Sequence, residues 1–201
     1  METLIAPPPT MPPKKMVTWT EFRDMDIPEG DTSIYELIRG KIVKRASPNT
    51  PHQEVSFKLS VEFGIYNKQK KVGRFFTAPY DVYFDEHTAG VQPDLLFVSH
   101  ERDFIIHAGN GIVGTPDLVV EIVSPGSVDK DRNLKKEVYE EFAIREYWVV
   151  DPKWQSVEVY RMENNRYHLF SFAEKEGVIK SSVLPDFELA VEAIFEDAVA
   201  A

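Results

Sequence analysis

Apolar positions along this chain follow three kinds of spacing, and each predicts a different element. Two runs are almost unbroken. Leu95-Leu96-Phe97-Val98 follows Gln92-Pro93-Asp94, and Leu118-Val119-Val120-Glu121-Ile122-Val123 follows Thr115-Pro116-Asp117. Runs of this kind, bounded by Gly or Pro, read as strands buried on two faces. A second spacing recurs at three and four. Val55, Leu59, Phe63 and Tyr66 build one face of a helix from about Pro51 to Lys70, with Pro51 suited to its first turn. Leu134, Val138 and Phe142 do the same for a helix over 127–143, which Ser127 or Asp129 can cap. The third pattern is a pair of short strands around a turn signal. It predicts hairpins at 34–38 and 41–43 around Arg39-Gly40, and at 156–162 and 166–173 around Asn164-Asn165.

The remaining assignments complete the order. Thr18 to Phe22 reads as a short capped helix. Strands are expected at 74–84, 91–98, 116–123 and 146–150, with a C-terminal helix from Phe187 to Ala201. Residues 1–16 carry Pro7-Pro8-Pro9 and Pro12-Pro13 without apolar period, so they read as a flexible Pro-rich arm before one domain over 17–201. Helix, three strands, helix, strand is an α/β (α+β) order, with a mixed sheet covered by helices.

Composition narrows the function. With 201 residues, 43% apolar and 28% charged, the chain can bury a substantial core. It has no cysteine, so disulfide and thiolate chemistry are excluded and a cytoplasmic setting is expected. No apolar stretch reaches membrane-spanning length, and the N-terminus lacks the pattern of a signal peptide. A net charge of −10 argues against a simple basic DNA binder. An acidic nuclease remains open, because bound divalent cations offset charge locally.

Glu121 needs the most explanation, since a carboxylate inside a buried strand is costly unless it is paired or holds a metal. Asp117 faces the same side of the strand, but four residues at about 3.3 Å each put the two Cα atoms roughly 13 Å apart. Asp117 therefore reads as a strand-start residue bonded to backbone N–H groups. Asp94 opens a separate strand, and residues 99–115 form a loop long enough to bring that strand beside Glu121. Neighbouring strands lie about 4.8 Å apart, so Asp94 and Glu121 can flank one Mg²⁺ (or Mn²⁺). Alone, Asp94 reads as a turn residue after proline. Two residues after Glu121 stands Val123, where a lysine would complete a Glu-x-Lys pair. Lys135 on the next helix, four before Tyr139, borders the apolar stripe and can reach the sheet; the competing reading is a solvated helix lysine. Lys136 falls on the more exposed side. Glu36 lies in a predicted strand and is a third acid or a solvent-facing one. His52 opens a helix, where capping competes with a catalytic role.

The segment Gly114 to Pro125, followed by Asp131-Arg132, Lys135, Tyr139 and Arg145-Glu146-Tyr147-Trp148-Val149-Val150-Asp151-Pro152, resembles the Uma-type restriction endonuclease family of the PD-(D/E)XK nuclease superfamily. Tyr35-Glu36-Leu37-Ile38, Gly40 and Pro51-His52-Gln53 also match its pattern, and the resemblance runs from about residue 18 to 195. It implies a restriction-endonuclease-like mixed sheet flanked by helices and a Mg²⁺-dependent endonuclease acting on nucleic acid. Asp94 and Glu121 match the metal-binding acids, Lys135 the lysine relocated to the helix, and Glu36 and His52 further positions near the site. The chain departs from the family at Arg39 and Lys41, where acids are common, and at Val123. The competing expectation is an inactive binding or assembly module on the same fold. A homodimer stays open, with the aromatic hairpin at Tyr160, Tyr167, Phe170 and Phe172 as a candidate contact surface or as core.

Overall fold

The computed structural model describes residues 15–45, 47–124 and 130–196, except the side chains of 130–132. Most of the expected Pro-rich arm, the expected caps Ser127 and Asp129, and the end of the expected C-terminal helix lie outside the described residues.

Local chemistry sets the first elements. Helix α1 (Trp19–Arg23) starts in a capping box in which Thr18 and Glu21 satisfy each other's backbone N–H. Strands β1 (Ile34–Ile38) and β2 (Lys41–Arg45) pair antiparallel across Arg39-Gly40. Both turn residues have positive φ, and a Cβ on Gly40 would run into Met16. Helix α2 (Thr50–Lys70) is capped by Asn49, whose side chain accepts from the His52 amide, and it ends on Lys71 in the left-handed region.

Strands β3 (Gly73–Thr77), β4 (Val82–Tyr83) and β5 (Leu95–Ser99) follow. A 3-10 helix (His100–Ile105), β6 (Ile106–His107), β7 (Gly111–Val113) and β8 (Leu118–Ile122) come next. Then come α3 (Lys130–Glu141), β9 (Glu146–Asp151), β10 (Ser156–Glu163) and β11 (Arg166–Glu174). The described chain closes with β12 (Val178–Lys180), β13 (Glu188–Ala190) and α4 (Glu192–Phe195). The main sheet has the order β11-β10-β9-β8-β5-β3. Within it β8 and β9 run parallel, joined through α3, and the other pairs are antiparallel. The small sheets are β1-β2, β4-β7-β6 and β12-β13.

Period-two alternation divides the sheet into two cores. Leu95, Phe97, Leu118, Val120, Ile122, Trp148 and Val150 pack with Val55, Leu59, Phe63 and Tyr66 of α2. Leu96, Val98, Val119, Tyr147 and Val149 pack with Val138 and Tyr139 of α3. Phe63 anchors the first core, stacked on Phe75 at 4.9 Å with its ring 5.6 Å from that of Trp148. Truncating such a side chain to alanine costs about 3–5 kcal/mol.

Three expectations are corrected. The strand expected over 74–84 breaks after β3, because Pro79 has no N–H to give a ladder, and it resumes as β4 in another sheet. Residues 99–115, expected as loop, carry the 3-10 helix, β6 and β7. The C-terminal segment begins as β13, not helix. Phe187, Leu189 and Val191 alternate with exposed Glu188 and Ala190 and all three are buried, a period of two that excludes a helix there. Among the described residues, no helix is long and apolar enough to cross a membrane.

Candidate active site

Two strand pairs and two helices deliver side chains to one buried cluster. In the β5–β8 ladder Leu95 faces Val120 and Leu96 faces Val119, so one further step sets Asp94 opposite Glu121. Both acids share the parity of Leu96 and Val119 and therefore point to the α3 side. The β1–β2 hairpin is tied down by the Leu37–Ala89 bridge. Its register pairs Glu36 with Val43 and Ile34 with Arg45, which puts Glu36 and Arg45 on one face as diagonal neighbours. The first turn of α2 supplies His52, and α3 supplies Lys135 and, one turn later, Tyr139.

Lys135 Nζ donates to Glu36 Oε1 at 2.6 Å and to Glu121 Oε1 at 3.0 Å. The Tyr139 hydroxyl also donates to Glu121 Oε1. Arg45 Nη1 lies 3.6 Å from Glu36 Oε1, and its Nη2 lies 3.6 Å from Glu121 Oε2. Asp94 Oδ2 accepts from the Ile122 amide at 2.6 Å and faces His52 Nε2 at 3.1 Å. The Gln92 amide donates to Glu36 Oε1 at 2.8 Å. At 3% exposure, Lys135 is not a solvated helix lysine. Glu36 is fully buried and does not face water.

The acids differ in electrostatics. Burial pushes Glu121 above the ordinary carboxylate range against the pull of Lys135 and Arg45. Burial also raises Asp94, but His52, Arg45 and the Ile122 amide together outweigh it, and its pKa lies below the usual value. Burial, then the charges of Glu121 and Glu36, push the Tyr139 phenol well up, so it stays a donor. Arg45 is stripped of water, yet the facing acids raise its pKa, so it remains a cation. Glu36 and Glu121 thus face Lys135 and Arg45, while Asp94 faces His52.

Among the described residues, Glu36 Oε2 and His52 Nδ1 are buried without a hydrogen-bond partner. An orphaned carboxylate oxygen close to two further buried acids, Asp94 and Glu121, fits a hard divalent cation. No group of three or more His, Asp and Glu side chains among the described residues is arranged to hold an ion. Mg²⁺ is commonly held by one or two carboxylates with waters and substrate phosphates, so a donor set of Asp94 and Glu121 suits it.

All five side chains singled out from the sequence, Glu36, His52, Asp94, Glu121 and Lys135, meet here. Asp117 does not: it accepts from the Ser99 amide, Arg102 and Arg145. Lys136 lies over the Tyr160 ring at 3.4 Å. Arg39 pairs with Glu137 and Glu141. Two members of the cluster were missed as participants. Arg45 was legible in principle, because the hairpin register around Arg39-Gly40 puts it on the face of Glu36. Tyr139 stands one helical turn after Lys135, so it points the same way. Of the aromatic hairpin, Tyr167 is buried and packed against Tyr147, while Phe170 and Phe172 are exposed.

A family model, Uma2, described as putative restriction endonuclease, matches residues 19–192. A search of curated proteins finds no match. Among solved structures, the chain is similar to a putative nuclease belonging to DUF820 from Anabaena variabilis ATCC 29413. The TM-score is 0.70 and the identity 22%, over 89% of this chain and 97% of that one. The mixed sheet flanked by helices is thus a nuclease-like fold.

Proposed function

The chain belongs to the Uma2 family, and we propose on that basis that it is a metal-dependent endonuclease hydrolysing nucleic-acid phosphodiesters at the Glu36–Asp94–Glu121–Lys135 cluster. One observation carries the reading: a buried ammonium bridges two buried carboxylates beside a third acid, Asp94, that the strand register sets opposite Glu121. Asp94 and Glu121 would hold Mg²⁺ or Mn²⁺, which supplies Lewis acidity toward a phosphoryl oxygen and lowers the pKa of bound water. Lys135 lies between Glu36 and Glu121 with the Tyr139 hydroxyl as a third, longer contact, and on giving up that contact it can orient water or meet the charge that develops on the phosphate. Arg45 adds guanidinium donors that no short hydrogen bond among the described residues consumes, suited to a phosphate oxygen. His52 steers Asp94 by the bond to its Oδ2, and Tyr139 fixes the rotamer of Glu121. Burial of the cluster limits water and strengthens each of these contacts.

The expected result with single- and double-stranded DNA and RNA is cleavage that needs Mg²⁺ or Mn²⁺. It should fall at least 100-fold in Glu121→Gln and in Lys135→Ala, with folding retained. Cleavage that survives Glu121→Gln unchanged overturns the assignment. One observation favours a second reading, an inactive binding or assembly module. Lys135 already bridges Glu36 and Glu121, and Val123 leaves the strand without a lysine of its own. That reading expects no Mg²⁺ or Mn²⁺ heat in calorimetry and an Asp94→Asn variant changed only in stability.

A further inference from the structure

Lys135 bridges two glutamates, and the two halves of the bridge are unequal. Its Nζ lies 2.6 Å from Glu36 Oε1 and 3.0 Å from Glu121 Oε1. Glu36 is fixed on its side of the bridge. Its Oε1 also takes the Gln92 amide at 2.8 Å, and its backbone sits in the β1–β2 ladder opposite Val43. On the other side, Glu121 Oε1 accepts from both Lys135 and the Tyr139 hydroxyl, which uses both lone pairs of that oxygen. The Tyr139 hydroxyl is itself 3.5 Å from Nζ. Lys135 therefore has two further partners within reach without Glu121.

A divalent ion on Asp94 and Glu121 would have to share Glu121 with this ammonium. Lys135, Glu36, Asp94 and Glu121 are all buried, so little water screens two cations on one carboxylate, and they repel. A lysine ammonium is a compact charge with three rotatable donors on a flexible four-carbon stem, so a small swing suffices to change partners. Its shorter bond is to Glu36, the partner that cannot follow it. We infer that Lys135 is a displaceable counter-ion to Glu121: as Mg²⁺ takes that carboxylate, the ammonium gives it up and keeps Glu36. The inference rests on the metal-dependent reading of the same cluster. Glu36 is then a positioning residue that holds Lys135 in the site through the exchange. The N–H released by Glu121 becomes the donor for water or phosphate, so taking up the ion and freeing the donor are one event. The bridge that favours an inactive module becomes the contact that the ion exchanges.

NMR and calorimetry on the full chain test the exchange without reading activity. In the doubly labelled parent, scalar couplings through the hydrogen bonds should link Lys135 Nζ to the carboxylate carbons of both Glu36 and Glu121. Saturating Mg²⁺ should abolish the coupling to Glu121 and keep the one to Glu36. In calorimetry, Lys135→Met should bind Mg²⁺ at least tenfold more tightly than the parent. Arg45→Met removes an equal charge that stands 3.6 Å from Glu121, and its gain should be at least threefold smaller. The couplings are read on the parent, so they decide the matter even if Lys135→Met fails to fold. Mg²⁺ that binds with both couplings intact overturns the inference and leaves the nuclease reading standing. An equal gain in the two variants also overturns it, because Lys135 would then act through its charge alone. A parent that takes up no Mg²⁺ removes the metal-dependent reading, and the inference with it.

Discussion

Two ends of the same strand bury carboxylates in opposite ways. Before β8, Asp117 gives its oxygens to the Ser99 amide, Arg102 and Arg145. Beside it in the ladder, Glu146 takes Trp148 Nε1 and Ser181 Oγ on one oxygen, and the Ser182 hydroxyl and the Ser182 and Val183 amides on the other. Every oxygen there has a donor, and most donors are backbone or belong to the segment being fastened. Near the far end of β8, and among the described residues, Glu121 shares one oxygen between Lys135 and Tyr139, its other oxygen has only Arg45 at 3.6 Å, and Glu36 keeps an orphaned Oε2. A buried acid saturated by fixed donors is architecture. A buried acid left short of donors beside other buried acids is prepared to bind something else.

The comparison breaks most visibly at Glu146. Glu146→Ala strands the Trp148 indole N–H and the Ser182 amide, each costing about 1–3 kcal/mol, while the Val183 amide keeps Ser181 Oγ. A loss of about 4 kcal/mol is expected, or a melting temperature lower by about 8–16 °C, read by thermal denaturation. Any cleavage per folded molecule at low temperature should be unaffected.

Asp117→Asn is the next largest, about 2–3 kcal/mol at pH 7, because Arg102 and Arg145 lose their charge partner while remaining cations. Its pH dependence has a definite sign. Burial raises Asp117, but the Ser99 amide and Arg102 outweigh it, so its folded-state pKa lies below the usual carboxylate range. The stabilisation is complete above the unfolded value of about 3.9 and is lost as pH falls through the folded value. Urea titrations at pH 7 and pH 3 should therefore show parent and variant converging on the acid side.

How much of this contrast could be read from the sequence depends on how many residues each relationship spans. Strand parity and the spacing along one strand were enough to separate Asp117 from Glu121 and to couple Glu121 with Asp94, because the sheet geometry is fixed whatever packs on it. Lys135 was legible as a border residue of the Leu134–Val138–Phe142 stripe. Arg45 was not singled out, since β2 is mostly exposed and only the docking of the hairpin over the sheet aims one side chain inward. All but one of the donors of Glu146 come from residues 181–183, more than thirty positions away, in a turn with no pattern of its own. The C-terminal strand was misread because Phe187, Leu189 and Val191 were set in a helical frame although their period is two.

The smallest effect sharpens the comparison furthest. Glu121 has a folded-state pKa above its unfolded value, because burial disfavours the charge more than Lys135 and Arg45 favour it. The sign is the reverse of Asp117: the native state holds the proton more tightly, so ionisation of Glu121 subtracts stability as pH rises from the unfolded value of about 4.3 through the folded one. Glu121→Gln keeps an acceptor for Lys135 and Tyr139 and removes that subtraction. Its stability should match the parent at pH 4 and equal or exceed it by up to about 1 kcal/mol at pH 8, as measured by denaturant midpoints across that range. A loss of 2 kcal/mol or more, flat with pH, would class Glu121 with Asp117 and Glu146 as a fastening of the fold. A gain at high pH would mean that the native state tolerates this carboxylate at a cost in stability, as a site kept for a ligand requires.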